Sequence, residues 1–161
     1  MTSETLHLPD VLSGLTIHTE GGALRSIRFG DAPPISDSGP LVREVERQLR
    51  EFLGGTRKTF DVPLDLRGTA FQVRVWRALM DIPYGSTASY RDIATAVGCP
   101  RGFQAIGQAN HHNPIPIIVP CHRVIAANGS IGGYGGGRER KQLLLDLERG
   151  GGRLFESAAG D

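Results

Sequence analysis

The stretch Ser89-Tyr-Arg-Asp-Ile-Ala-Thr-Ala-Val-Gly98-Cys-Pro-Arg-Gly-Phe-Gln-Ala-Ile-Gly-Gln-Ala-Asn110 reads as two short helices around a glycine break. Hydroxyls between Ser86 and Ser89 offer caps for a helix over 90–97, Gly98 stops it, and Pro100 opens a further helix to about Asn110. Upstream, Thr69 caps a helix carrying Phe71, Val75, Trp76, Leu79 and Met80 on one apolar stripe, which ends at Ile82-Pro-Tyr-Gly85. Helix, glycine-containing turn, helix is the helix-turn-helix pattern. Most helix pairs of this kind are merely packed together, so the pattern alone favours ordinary packing.

Toward the N-terminus the period changes. Leu12, Leu15 and Ile17, then Ala23, Leu24, Ile27 and Phe29, flank Glu20-Gly21-Gly22 and predict a hairpin. Asp31-Ala-Pro-Pro and Ser36-Asp-Ser-Gly-Pro form a polar loop. Pro40 then starts a helix with Leu41, Val45, Leu49, Phe52 and Leu53 at helical spacing up to Gly54-Gly55. Lys58–Leu66 alternates around Phe60, Val62 and Leu64 and predicts another strand. Together these give an α+β chain: a small N-terminal domain over 1–66, a mostly helical domain over 67–155, and a tail over 156–161. His7 and His18 lack metal-ligand spacing, and no metal is expected.

The whole chain has 161 residues, 39% of them hydrophobic and 22% charged, which supports a folded core and excludes overall disorder. No apolar run approaches the ~18–20 residues of a bilayer span, and the opening residues lack a secretory pattern. Cys99 and Cys121 cannot build a disulfide framework or a CxxC zinc site, so reduced thiols and a cytoplasmic location are expected. Net charge is +1, too little to announce a nucleic-acid partner. Its distribution is uneven: residues 1–60 hold seven Lys/Arg against eight Asp/Glu, whereas residues 87–149 hold seven against four. That asymmetry permits a polyanion on the second half without predicting one.

Chemistry concentrates in Asn113-Pro-Ile-Pro-Ile-Ile-Val-Pro-Cys121-His-Arg-Val-Ile125. Prolines and a β-branched run predict an extended segment leading into Cys121. The plain reading is a buried small thiol beside a surface histidine. Against it stand His122 next to the thiol, Asn113 upstream and Glu148 on the next helix, a set that offers a proton acceptor and groups to orient it. Cys99, in the helix–helix bend with no His or carboxylate immediately beside it, reads as packing.

These residues strongly resemble the active-site signature of the O6-alkylguanine-DNA alkyltransferases, the methylated-DNA–protein-cysteine methyltransferases. The resemblance runs in order through Phe71-Gln72, Trp76, Ile82-Pro-Tyr-Gly85, Ser89-Tyr90, Pro120-Cys-His-Arg, Gly129–Gly137 and Arg140-Lys-Gln-Leu-Leu144 to Glu148, about half of the chain. It implies a ribonuclease-H-like N-terminal unit and a helix-turn-helix domain. The implied reaction is direct, irreversible transfer of an alkyl group from guanine O6, and possibly from thymine O4, to Cys121, once per molecule and without a cofactor. His122 would draw off the thiol proton through water, Glu148 would orient His122, Asn113 would tie the active-site turn, and Tyr90 would protonate the leaving guanine.

The implied partner is double-stranded DNA entered through the minor groove by a monomer, with the damaged nucleotide turned out into a pocket. Tyr134 and Gly135 would belong to a flexible wall, the Gly135 N–H meeting guanine O6, and the Val124 carbonyl would read the guanine amino group. Gly102, Ala105, Gly107 and Ala109 would allow close approach of the recognition helix, with Arg101 and Arg123 available to phosphates. One position departs from the family. Gln104 stands where many members carry an arginine that fills the gap left by the flipped base, and an amide lacks the charge and stacking of guanidinium. Two other readings remain: a non-catalytic alkyltransferase-like binder of alkylated DNA, and a cysteine hydrolase. The hydrolase is poorer, because adjacent residues on an extended chain point to opposite faces.

Overall fold

The computed structural model describes residues 2–7, 14–30 and 39–150. The polar loop over 31–38, Leu12 and the tail over 156–161 lie outside the described residues. The chain forms two compact units, one of Met1–Leu66 with Asp146–Asp161 and one of Arg67–Leu145.

In the first unit, β1 (Thr2–His7), β2 (Gly14–Glu20) and β3 (Ala23–Phe29) make an antiparallel sheet in sequence order. The β2–β3 hairpin turns at Gly21 and Gly22, whose φ of 62° and 82° are open to glycine at little cost. Leu15, Ile17, Leu24 and Ile27 are buried, as are Val42, Val45, Leu49, Phe52 and Leu53 of α1 (Pro40–Leu53). Strand β1 is held through the backbone register Thr2↔Thr19 to His7↔Gly14, which its polar sequence did not announce.

The expected strand over 58–66 is reduced to one bridge, Leu64 to Leu24. Pro63 has no N–H to continue a ladder, so Leu24 donates to its carbonyl at 2.8 Å and receives nothing back from that residue. The buried Gln48 side chain secures the same segment by bonding both the Asp61 carbonyl and the Asp61 N–H.

The second unit is built on α2 (Ala70–Met80), α3 (Tyr90–Ala96) and α4 (Phe103–His111). Reciprocal capping boxes, Thr69 with Gln72 and Ser89 with Asp92, satisfy N-terminal donors of α2 and α3. Val75, Trp76 and Leu79 of α2 are buried, but Met80 is 45% exposed, so the apolar stripe is narrower than its sequence suggested. Helix α4 begins later than Pro100, because the Gly102 N–H closes a turn onto the Cys99 carbonyl at 2.9 Å before the helix starts. Strand β4 (Ala88–Ser89) pairs in parallel with β5 (Val124–Ile125), and α5 (Arg138–Glu148) follows the glycine-rich loop. No helix among the described residues is long and apolar enough to cross a membrane.

Candidate active site

Cys121 opens a 3₁₀ turn over Cys121–Arg123, and the loop before it is tied by one side chain. Asn113 Oδ1 accepts from the Ile115 N–H at 3.0 Å, and its Nδ2 donates to the Val119 carbonyl at 2.7 Å. The Val119 N–H closes onto the Ile115 carbonyl at 2.9 Å. Inside this loop Ile117 has φ of +75°, a left-handed conformation that costs a β-branched residue roughly 1–3 kcal/mol. The expected extended run over 114–119 is therefore a tight loop. Its two prolines, Pro114 and Pro116, supply no N–H for a ladder, and the Asn113 amide serves the Ile115 N–H and the Val119 carbonyl instead. From α4, the Asn110 amide reaches the Cys121 carbonyl at 3.4 Å.

Cys121 is 3% exposed and His122 is fully buried, which removes the reading of a surface histidine. Burial pushes the Cys121 thiol up to about 11; a hydrogen bond from Asn113, the Lys141 ammonium and backbone N–H groups pull the other way without prevailing. Two phenols share this neighbourhood. Tyr90 starts α3 directly after β4, and the pairing of Ala88 with Val124 sets it beside the residues that follow the turn. Burial, and then the nearby Cys121 sulfur, raise both Tyr90 and Tyr134 above the ordinary phenol range. Gly132 packs against this group: a Cβ there would lie 3.3 Å from the Tyr90 hydroxyl, on a backbone with φ of +73°.

Lys141, which the sequence reading did not single out, also joins the site. It is fully buried, and its Nζ donates to the Val124 carbonyl at 2.6 Å and the Gly133 carbonyl at 3.0 Å. Burial lowers it to about 8. The signal available was spacing: Lys141, Leu144, Leu145 and Glu148 fall on one helical face, and all four are buried. Among the described residues no three His, Cys, Asp or Glu side chains gather as a metal site.

Residues 70–150 match the family described as 6-O-methylguanine DNA methyltransferase, DNA binding domain. The methylated-DNA–protein-cysteine methyltransferase of Mycobacterium tuberculosis is 59% identical over 113 residues, covering 70% of this chain and 68% of the relative. The constitutive enzyme of that name from Bacillus subtilis is 52% identical over 111 residues, 68% of this chain and 67% of the relative. The crystal structure of Mycobacterium tuberculosis OGT in complex with DNA superimposes with a TM-score of 0.84 at 44% identity, covering 94% of each chain. The chain belongs to the methylated-DNA–protein-cysteine methyltransferase family.

In this methyltransferase Cys121, His122, Asn113, Tyr90, Val124, Tyr134 and Lys141 all belong to the second unit. Glu148 is buried in the last turn of α5 and belongs to the first. Gly135 is exposed in the loop, where a Cβ would lie 3.4 Å from the His111 carbonyl. Arg101, Gln104 and Ala105 are exposed, and a Cβ on Gly107 would meet open space.

Two expected DNA contacts need correction. Arg123 is 7% exposed, donates to the Ile82 carbonyl at 2.7 Å and lies 5.7 Å over the Tyr84 ring, so its guanidinium braces the fold and is not offered to phosphate. Ala109 is buried, and its carbonyl accepts from Trp76 Nε1 at 2.8 Å, so it faces the helix packing. Gly102 is half-buried, and a Cβ there would sit 2.5 Å from Cys99 Sγ.

Proposed function

We propose that this methyltransferase repairs DNA by taking the alkyl group of O6-alkylguanine onto the Cys121 sulfur, each molecule acting once. The observation that carries this reading is a buried thiol at the end of an Asn113-clamped loop, with a fully buried histidine next to it, in a member of this family. A neutral thiol is a poor nucleophile, and burial keeps this one protonated at rest. Attack on the alkyl carbon therefore needs the proton removed first. His122 takes it through water. The sulfur lone pair then forms the S–C bond, and the C–O6 pair leaves with guanine, which is protonated by Tyr90. The product is a thioether, which explains a single turnover.

The target atom is stacked inside a duplex, so the nucleotide turns out at a cost of a few kcal/mol. Helices α3 and α4 act as a helix-turn-helix, with α4 in the minor groove of the damaged DNA. The exposure of Arg101, Gln104 and Ala105 and the open space at Gly107 support that orientation. Tyr134 and Gly135 wall the pocket, and Val124 reads the guanine amino group through its carbonyl, which already accepts from Lys141. The three-stranded N-terminal sheet with α1 fits the ribonuclease-H-like plan the family implies, and the protein acts as a monomer in the cytoplasm.

Incubation with duplex carrying labelled O6-methylguanine tests the reading. Wild type is expected to gain one methyl per molecule by intact mass, and Cys121→Ser none. Retention of methylated duplex with no mass gain would establish the non-catalytic binder instead.

A further inference from the structure

Among the described residues two large apolar side chains stand out as exposed, Met80 and Phe103, each at 45%. A single exposed apolar group is ordinary on a protein surface, so its place and neighbours decide what it can do. Met80 ends α2, whereas Phe103 is the first residue of α4. Side chains on a helix tilt toward its N-terminus, so a residue in first place projects over the leading end. Gly102 before it and Gly107 one turn on offer the ring no side chain to pack against, and the space beyond Gly107 is open.

The rest of this exposed face is neutral. Gln104, Ala105 and Gln108 are exposed, and from Gly102 to Asn110 the chain holds no Lys, Arg, Asp or Glu. Arg101 stands just before the helix, while Arg123 is held inside the fold. Phosphate pairing supplies much of the affinity of an ordinary DNA-binding face, and this one has little charge to give. What it offers is a flat apolar ring. Minor-groove proteins insert such side chains between base steps, and an aromatic ring stacked on a base is worth about tenfold or more when cut to alanine.

We infer that Phe103 is the wedge of this methyltransferase: its ring enters the minor groove at the head of α4 and stacks where the turned-out nucleotide leaves a gap. The inference rests on α4 meeting the damaged duplex through that groove. Phe103 makes and breaks no bond; it acts on the stacking equilibrium. A nucleotide leaving the helix exposes the apolar faces of the adjacent bases to water, and the ring covers one of them. Area that is exposed in the free protein becomes buried in the complex. The Gln104 amide brings hydrogen bonds to the same place but no aromatic face, so the stacking comes from its neighbour.

A duplex carrying O6-methylguanine beside 2-aminopurine, whose fluorescence rises when it unstacks, tests the wedge without chemistry when Cys121→Ser is the binding protein. At saturation Cys121→Ser is expected to raise the fluorescence, and the same protein with Phe103→Ala to raise it far less. With Cys121 in place, Phe103→Ala should take methyl from duplex about tenfold more slowly than wild type. The damaged oligonucleotide as a single strand has no opposing strand and no gap to fill, so both proteins should react with it alike. Phe103→Trp, which keeps a flat ring, should recover the duplex rate. Equal fluorescence and equal duplex rates for the proteins with and without the ring overturn the inference. So does an equal slowing on duplex and single strand, which marks damage to the fold or to the active site. A fluorescence rise that depends on Phe103, without methyl on Cys121 in wild type, would remove alkyl transfer and leave the wedge.

Discussion

Asn113 works as a replacement for backbone. With prolines at 114, 116 and 120 the chain before Cys121 has few donors of its own, and one amide serves the Ile115 N–H and the Val119 carbonyl together. Removing it strands both groups and frees the strained Ile117 to relax. Asn113→Ala is expected to cost about 1–3 kcal/mol in urea unfolding and to slow methyl transfer further, since the sulfur also loses a hydrogen bond. A variant of unchanged stability and rate would show that the loop holds its shape without the clamp.

Helix α4 packs on one face and is open on the other. Its inner side is fixed by Trp76, whose indole is buried and bonded to the Ala109 carbonyl. Trp76→Phe keeps an aromatic ring but leaves that carbonyl unmatched, and a loss of about 1–3 kcal/mol is expected by urea denaturation. At the start of the helix, Gly102→Ala would press a methyl group against Cys99 Sγ. A cost of about 1–3 kcal/mol is expected, partly recovered in a Cys99→Ala background; equal costs in both backgrounds would deny the contact. On the open face, Gln104→Arg should raise affinity for methylated duplex or the transfer rate. No change in either would show that Gln104 does not fill the gap left by the flipped base.

Across the whole molecule, stability should form a plateau with unequal shoulders. On the acid side, Glu44 is lowered to about 2 by its hydrogen bonds to Arg47 and Gln48, Glu51 is lowered chiefly by Arg57, and Asp92 by the Ser89 backbone. Groups lowered in this way add stability above their ordinary values and lose it as pH falls, here from about 4.5 toward 2. Melting temperature should drop through that window, and Glu44→Gln should flatten the drop; an identical acid limb in the variant would remove Glu44 from the account. On the alkaline side the raised Cys121 thiol loses stability as pH climbs from 9 toward 11. Lys141 works in the opposite sense: its buried charge is a cost below about 8 that is relieved as it deprotonates, so the alkaline limb should be shallow.

What could be read from the amino acids was whatever local rules govern: the hairpin at Gly21-Gly22, the start of α1 at Pro40, the capping of α2 and α3, and the Pro-Cys-His-Arg motif with its flanks. Strand β1 escaped because its register comes from a partner strand and not from alternation in its own residues. The loop over 114–119 departs from the extended expectation, since β-branched residues favour strands and nothing local reveals that the Asn113 amide will fold them back. Arg123 and Lys141 carry the same lesson. The sequence reads Arg123 as available to phosphates and does not single out Lys141; in the fold both are buried, one against the Ile82 carbonyl and the Tyr84 ring, the other on the Val124 and Gly133 carbonyls. The sequence by itself determined which chemistry the chain carries, because a motif is local. Only the tertiary structure decided which charges face that chemistry, because burial and electrostatic reach depend on residues far apart along the chain.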